Sequence, residues 1–299
     1  MRGIKGEELT IPNLLHKAGD KVSYTVSITT LCENSVGSRG LLGEHGLALL
    51  LEFQDQKILF DTGAGLTLLH NAEALGIELG DLDAVVLSHG HHDHTGGLAS
   101  LADRVGSLPV YAHPEVFGAK YRKDNPDKYR YNGIPWSREE LKQRGLIFRL
   151  NQSWTELGPE ILLTGEIPRL EQPQDENHKF YTKTDEGFIK DYINDDQAVI
   201  INAPEKVIVV LGCAHAGLFN TLQYALKLTG AKSIYAMLGG THLLHFSYSR
   251  LYSISERLQH FGLQELAPCH CTGRIAQFAL YQVFGESMLE NRVGSTFTL

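Results

Sequence analysis

Short apolar runs separated by glycine-rich or polar turns recur along this chain, and their spacing predicts strands alternating with helices. Residues 22–30 alternate and are rich in β-branched types, which predicts a strand. Runs at 47–53 and 57–60 flank Gln54-Asp55-Gln56 and predict a hairpin. Residues 67–75 carry Leu68, Leu69, Ala72 and Leu75 at helical spacing and stop at Gly76. Residues 83–87 predict a short buried strand, and 98–102 the first turns of a helix. Strands follow at 109–113, 146–150 and 161–164, with a helix start at His113-Pro114-Glu115. A second hairpin at 198–202 and 206–211 precedes a helix at 218–228. A strand at 233–238, a helix at 249–262, a strand-like run at 263–267, a helix at 275–284 and a strand at 293–298 complete the series.

Two stretches break this pattern. Residues 119–136 mix Lys120, Tyr121, Arg122, Lys123, Lys128, Tyr129, Arg130, Tyr131 and Trp136 with little apolar periodicity. They read either as a substrate-facing cap, where aromatic faces and cationic heads hold a flat anionic ligand, or as solvated surface. Residues 165–196 show no period at all and are expected to form a long loop over an active site. The chain of 299 residues is treated as one domain over 1–299 carrying these two features.

The chemistry is concentrated between the predicted strand and helix at 83–102. Ser88-His89-Gly90-His91-His92-Asp93-His94-Thr95-Gly96-Gly97 places four imidazoles and a carboxylate within six positions. Neutral imidazole nitrogen and carboxylate oxygen are ligands that Zn²⁺ accepts when a catalytic site keeps a position open. In extended chain His89 and His91 point the same way and can share one ion, while Asp93 and His94 lie beyond the turn and suit a second. His92 then faces away.

The pattern His89-x-His91-x-Asp93-His94, with Ile58-Leu59-Phe60-Asp61-Thr62-Gly63 before it, resembles the metal-binding signature of the metallo-β-lactamase superfamily. That resemblance runs over roughly residues 22–298 and implies an α/β fold, a four-layer αββα sandwich with the metal site at one edge. It also implies a supporting, non-ligand role for Asp61, which would orient a metal-bound histidine. Pro268-Cys269-His270-Cys271 resembles the superfamily's last metal motif, with His270 completing the second site. In extended chain Cys269 and Cys271 would point away from it. At Gly212-Cys213-Ala214-His215 the chain departs from the usual pattern. Most members carry a bridging aspartate there and a separate histidine ligand earlier, where this chain offers only His178. His215 is expected to supply a missing ligand, with Cys213 either a ligand or a buried thiol.

The resulting assignment gives His89, His91 and His215 to one ion and Asp93, His94 and His270 to the other. The ions are expected to be zinc, with manganese or ferrous iron as alternatives. Attack by a metal-bound hydroxide on a small phosphorylated or anionic substrate is the expected reaction, with Asp93 and His242 as catalytic residues. Gly239-Gly240-Thr241-His242 is expected to offer free backbone N–H groups as an anion cradle. His242 would contact substrate or donate a proton. His45, Gly240, Thr241, Thr272 and Arg274 are the expected substrate contacts, with an exposed loop histidine as the other reading of His45. His113 reads as a packing histidine.

Together these motifs resemble a branch of metal-dependent hydrolases similar to dihydropterin-ribofuranosylaminobenzene-phosphate synthase-like proteins. A pterin-like substrate and a condensation reaction are therefore the alternative. An iron-dependent redox enzyme on the same fold and a non-catalytic binding module are further alternatives, although flavin-linked diiron members carry glutamate where this chain has His91. A net charge of −8 argues against a nucleic-acid partner. No apolar run reaches the ~18–20 residues of a membrane span, and the first eight residues lack the apolar core of a secretory signal. Four cysteines, two of them flanking His270 and a third two residues before His215, suit reduced thiols, so a cytoplasmic location is expected. The sequence is compatible with a homo-oligomer.

Overall fold

A computed structural model describes residues 25–126, 128–172 and 179–299. Positions 22–24 of the first predicted strand, residues 1–8 and His178 lie outside the described residues. Two large sheets form the body. The first contains β1 (Val26–Cys32), β2 (Ala48–Phe53), β3 (Gln56–Phe60), β4 (Ala84–Val86), β5 (Leu108–Ala112), β8 (Leu146–Leu150) and β17 (Thr296–Thr298), in the order β17-β1-β2-β3-β4-β5-β8. The second contains β9 (Thr155–Gly158), β10 (Ile161–Leu163), β13 (Val199–Ala203), β14 (Lys206–Leu211), β15 (Ala236–Gly240) and β16 (Glu265–Cys269), in the order β16-β15-β14-β13-β10-β9. In each sheet an antiparallel hairpin, β2–β3 or β13–β14, leads into parallel strands.

The central strands of each sheet are buried on both faces, which is why they read as continuous apolar runs. Leu49, Leu51, Phe60 and Val86 of the first sheet meet Val199, Ile201, Ile208 and Val210 of the second in one inter-sheet core. The alternate positions face outward under helices. Leu50, Leu59 and Val85 lie under α1 (Leu68–Ala74), α3 (Leu98–Val105) and α4 (Arg138–Gln143). Ile200, Val209 and Met237 lie under α5 (Leu218–Thr229), α6 (Tyr248–Leu258) and α7 (Arg274–Phe284). The expected αββα layering is the one found. Among the described residues no helix is long and apolar enough to cross a membrane.

A third sheet takes up much of 119–136 and part of 165–196. β6 (Lys120–Asn125) and β7 (Lys128–Tyr131) pair with β11 (Phe180–Thr184) and β12 (Gly187–Lys190) in the order β12-β11-β6-β7. The second stretch is thus not a structureless loop. Its hairpin turns at Gly187, whose φ of 119° favours glycine. Its strands are half-exposed on both faces, so they show no apolar alternation to detect. Residue alternation divides this sheet. Arg122 pairs with Arg130 and Phe180 on one face. On the other, Tyr129 stacks on Phe188 with ring centroids 3.9 Å apart and Lys123 lies over Tyr129. Lys120 is not a substrate contact. It is buried, with its ammonium 2.7 Å from Asp195 and 3.3 Å from Asp191.

Candidate metal centre

The chemistry-bearing side chains all sit just beyond the carboxyl ends of parallel strands, where open α/β sheets bind their ligands. β3 runs into Asp61, and β4 into His89, His91, Asp93 and His94 through the short helix α2 (His92–Thr95). From the other sheet, β14 leads to Cys213 and His215, β15 to His242, and β16 to His270 and Cys271. Asp61, Ala214, His242 and His270 have φ of 61°, 55°, 52° and 53°, a left-handed conformation uncommon outside glycine. Such backbone persists where surrounding structure enforces it, typically at functional sites. Gly212 is required by close approach, since a Cβ there would overlap Ser88 Oγ of the facing sheet.

Two neighbouring donor sets result. In the first, donor atoms of His89, His91 and His215 lie within 4.8 Å of one another. In the second, Asp93 Oδ2 is 3.5 Å from His270 Nε2, 4.0 Å from His94 Nε2 and 3.3 Å from His45 Nε2. The rings are held from behind. Asp61, fully buried, accepts from Ser88 N and Ser88 Oγ and faces His94 Nδ1 at 2.7 Å, leaving His94 Nε2 toward the cleft. Asn34 Oδ1 lies 3.0 Å from His270 Nδ1, and Glu33 accepts from His270 N. Asp195 accepts from Gly90 N and fixes the loop between the first two histidines.

Electrostatics match donor duty. Burial holds His89, His91 and His215 well below the ordinary histidine value, so these imidazoles are neutral. Burial pushes Asp93 up, but His94, His270 and His45 more than reverse it and keep a carboxylate. Burial also opposes charge on His94, yet Asp61 and Asp93 raise it to about 9. An incoming cation would displace that proton. Whether a metal fits is decided by atoms left over. Nε2 of His91, His215 and His270 is buried without a hydrogen-bond partner. Buried polar atoms are rarely left so, and an ion is the partner that satisfies imidazole nitrogens brought in from both sheets.

A cleft of about 1260 Å³ opens onto these sets. His45, His242 and Arg274 line it, as do Arg122, Arg130, Lys179 and Phe180 of the third sheet. Gly240 and Thr241 do not form the expected cradle, and Thr272 is turned to Thr241. Gly240 N donates to Gly212 O, Thr241 N and Oγ1 both bond Thr272 Oγ1, and His242 N donates to Cys271 Sγ. Every N–H of that turn is already used. His113 is buried away from the donors, its Nδ1 accepting from Glu115 N.

Cys271 also differs from expectation. His270 opens a 3₁₀ turn, His270–Thr272, so the alternation of an extended strand ends and Cys271 enters the cleft beside Cys213. Burial raises the Cys271 thiol, but Cys213 and His242 more than reverse this and hold it well below its ordinary value. Sequence reasoning missed Cys271, Glu33, Asn34 and Phe180. Only Glu33-Asn34, a polar pair directly after β1, left any local signal.

The sequence profile of the metallo-beta-lactamase superfamily matches residues 42–174. The uncharacterized protein MJ0448 of Methanocaldococcus jannaschii is 30% identical over 259 residues, covering 86% of this chain and 94% of its own. The chain belongs to the metallo-beta-lactamase superfamily. Another protein of that organism, named 7,8-dihydropterin-6-methyl-4-(beta-D-ribofuranosyl)-aminobenzene-5'-phosphate synthase, is 28% identical, covering 87% of this chain and 92% of its own. The solved structure of Tm1679, described as a metal-dependent hydrolase of the beta-lactamase superfamily, aligns with a TM-score of 0.78 at 29% identity. That alignment covers 92% of this chain and 99% of the other. Membership brings the metal-dependent hydrolase fold; members of the superfamily bind divalent metals, and this chain carries candidate ligand groups for them.

Proposed function

We propose that this superfamily member is a cytoplasmic hydrolase of small anionic substrates, phosphorylated ones first, working with two divalent ions of which zinc is the leading candidate. The observation that carries the reading is that His91, His215 and His270 each bury an Nε2 without a hydrogen bond inside the two donor sets, with Asp93 Oδ2 3.5 Å from that of His270. His89, His91 and His215 would hold one ion, and Asp93, His94 and His270 the other. Bound there, such ions polarise a substrate oxygen and lower the pKa of water toward ~7. The chain does the rest. Asp61 and Asn34 keep His94 and His270 aimed at the cleft. Phe180 lies 4.6 Å from the His91 ring and 5.2 Å from that of His215, closing one side against water. Arg122, Arg130, Lys179 and Arg274 supply positive charge along the walls, suited to a phosphate or carboxylate. His45 reaches the same space and is placed to contact substrate. All four cysteines are free thiols, which suits a reducing cytoplasm.

The test is Asp93→Ala. It is expected to lose metal and hydrolysis of a phosphomonoester and phosphodiester panel together, and an active variant without metal would sink the reading. Condensation is the second reading, favoured by the 28% identity to a protein named as a synthase over 87% of this chain. An assay for the product specified in that relative's name, run beside the ester panel, separates the two.

A further inference from the structure

We propose that Cys213, Cys271 and His242 form a soft-donor metal site of their own, taking a thiophilic divalent ion such as zinc beside the two histidine–aspartate sets. It rests on the metal-cleft reading for the cleft itself, and Cys213, which also groups with His89 and His94, is where it borders the sets given to the hydrolase.

The placement is systematic. β14, β15 and β16 are adjacent parallel strands, and each ends at the same edge of the sheet. Beyond each end lies one donor: Cys213 after β14, His242 after β15, Cys271 after β16. The left-handed residues Ala214, His242 and His270 redirect the chain at these three ends. The two Sγ atoms and a His242 ring nitrogen lie within 4.8 Å of one another. Space is kept for sulfur by the absence of a side chain between them, since a Cβ on Gly240 would overlap Cys271 Sγ.

A buried cysteine usually fills apolar space, and two of the four here do. Cys32 and Cys269 belong to the hydrophobic cores under and between the sheets. Cys213 and Cys271 belong to no apolar cluster and line the cleft instead, although they are only 3% and 8% exposed. Cys271 Sγ accepts the His242 N–H at 3.2 Å, and Cys213 Sγ lies 3.2 Å from His94 Nε2. The thiols therefore face polar partners, not aliphatic ones. Two thiolates and an imidazole favour zinc, cobalt or cadmium over manganese and magnesium. Each thiol that binds gives up its proton to solvent, so loading releases protons. His242 then acts as a ligand and not as the proton donor suggested by its sequence context.

The experiment loads the full chain with Co²⁺ and reads sulfur-to-cobalt charge-transfer absorption apart from the ligand-field bands. The expected result is a charge-transfer band that falls about twofold in Cys213→Ser and in Cys271→Ser and persists in His91→Ala. Cobalt bound with ligand-field bands alone overturns this site and leaves the hydrolase reading standing. A charge-transfer band in wild type together with unchanged cobalt content in His91→Ala overturns the hydrolase assignment and leaves this site. A chain that binds no cobalt overturns both. Should a serine variant fail to fold, zinc-edge X-ray absorption of the wild type decides. A sulfur shell near about 2.3 Å supports the site, and a shell of nitrogen and oxygen alone, near about 2.0–2.1 Å, overturns it.

Discussion

Asp196 is buried beside the first metal set, one carboxylate oxygen accepting from Ala216 N at 2.8 Å and the other without a partner. Burial raises its pKa from 3.8 to about 7. The unfolded chain titrates this group near ~3.9, so between those values the folded state holds the extra proton. Its contribution to stability is full below the unfolded value and is lost as pH rises through about 7. Asp196→Asn keeps an acceptor for Ala216 and removes the titration. The thermal midpoint of the variant is expected to gain on the wild type from pH 5 to about pH 7 and to level off above it, and a constant gap would show that Asp196 stays ionised throughout. At this scale the sequence was legible where donors are contiguous. His89, His91, Asp93 and His94 announce themselves within one turn because strand and turn geometry are local. Cys271 was not legible, because a single left-handed residue, His270, reverses the face on which the next side chain falls. Gly240 and Thr241 suggested free N–H groups, but their partners, Gly212 and Thr272, come from neighbouring strand ends that no local pattern connects to them.

Elements differ in legibility for a related reason. Doubly buried strands such as β2 and β14 are apolar runs and stand out, whereas β11 and β12 carry Thr182, Lys183, Thr184 and Lys190 on a small two-sided sheet and do not. A buried ion pair helps hold this small sheet to the body. Lys120 of β6 is 3% exposed and reaches Asp195, fully buried, whose other oxygen accepts from Gly90 N in the metal loop. The pair thus connects the third sheet to the donors. Lys120→Met leaves a buried carboxylate uncompensated and is expected to cost about 3–5 kcal/mol in denaturant unfolding. Asp195→Asn added to Lys120→Met should recover most of that loss, since the stranded charge is then gone. A single variant within about 0.5 kcal/mol of wild type would show that the pair does not connect the layers.

Across the whole molecule, the donor sets straddle the junction of the two large sheets. His89, His91, Asp93 and His94 follow β4 of one, while His215 and His270 follow β14 and β16 of the other. An ion held by both groups ties the sheets at one edge, where the apolar inter-sheet core gives way to imidazoles. Imidazole rings crowd together there, with His89 and His215 centroids 4.8 Å apart and those of His94 and His270 4.9 Å apart. Without metal the edge carries buried polar atoms that have no partner, and with metal it gains bonds between layers. Because only the folded chain brings both groups together, stabilisation should follow free metal as RT ln(1 + [L]/Kd), about 4 kcal/mol per site at a thousandfold excess over Kd. The thermal midpoint is therefore expected to fall by several degrees in chelator and to climb with the logarithm of free zinc on its return. Asp93→Ala should flatten that climb and His89→Ala flatten it further, since the first removes one inter-sheet link and the second acts on the other. A midpoint indifferent to chelator in a chain shown by elemental analysis to have lost its metal would mean that the ions do not bind across the sheets.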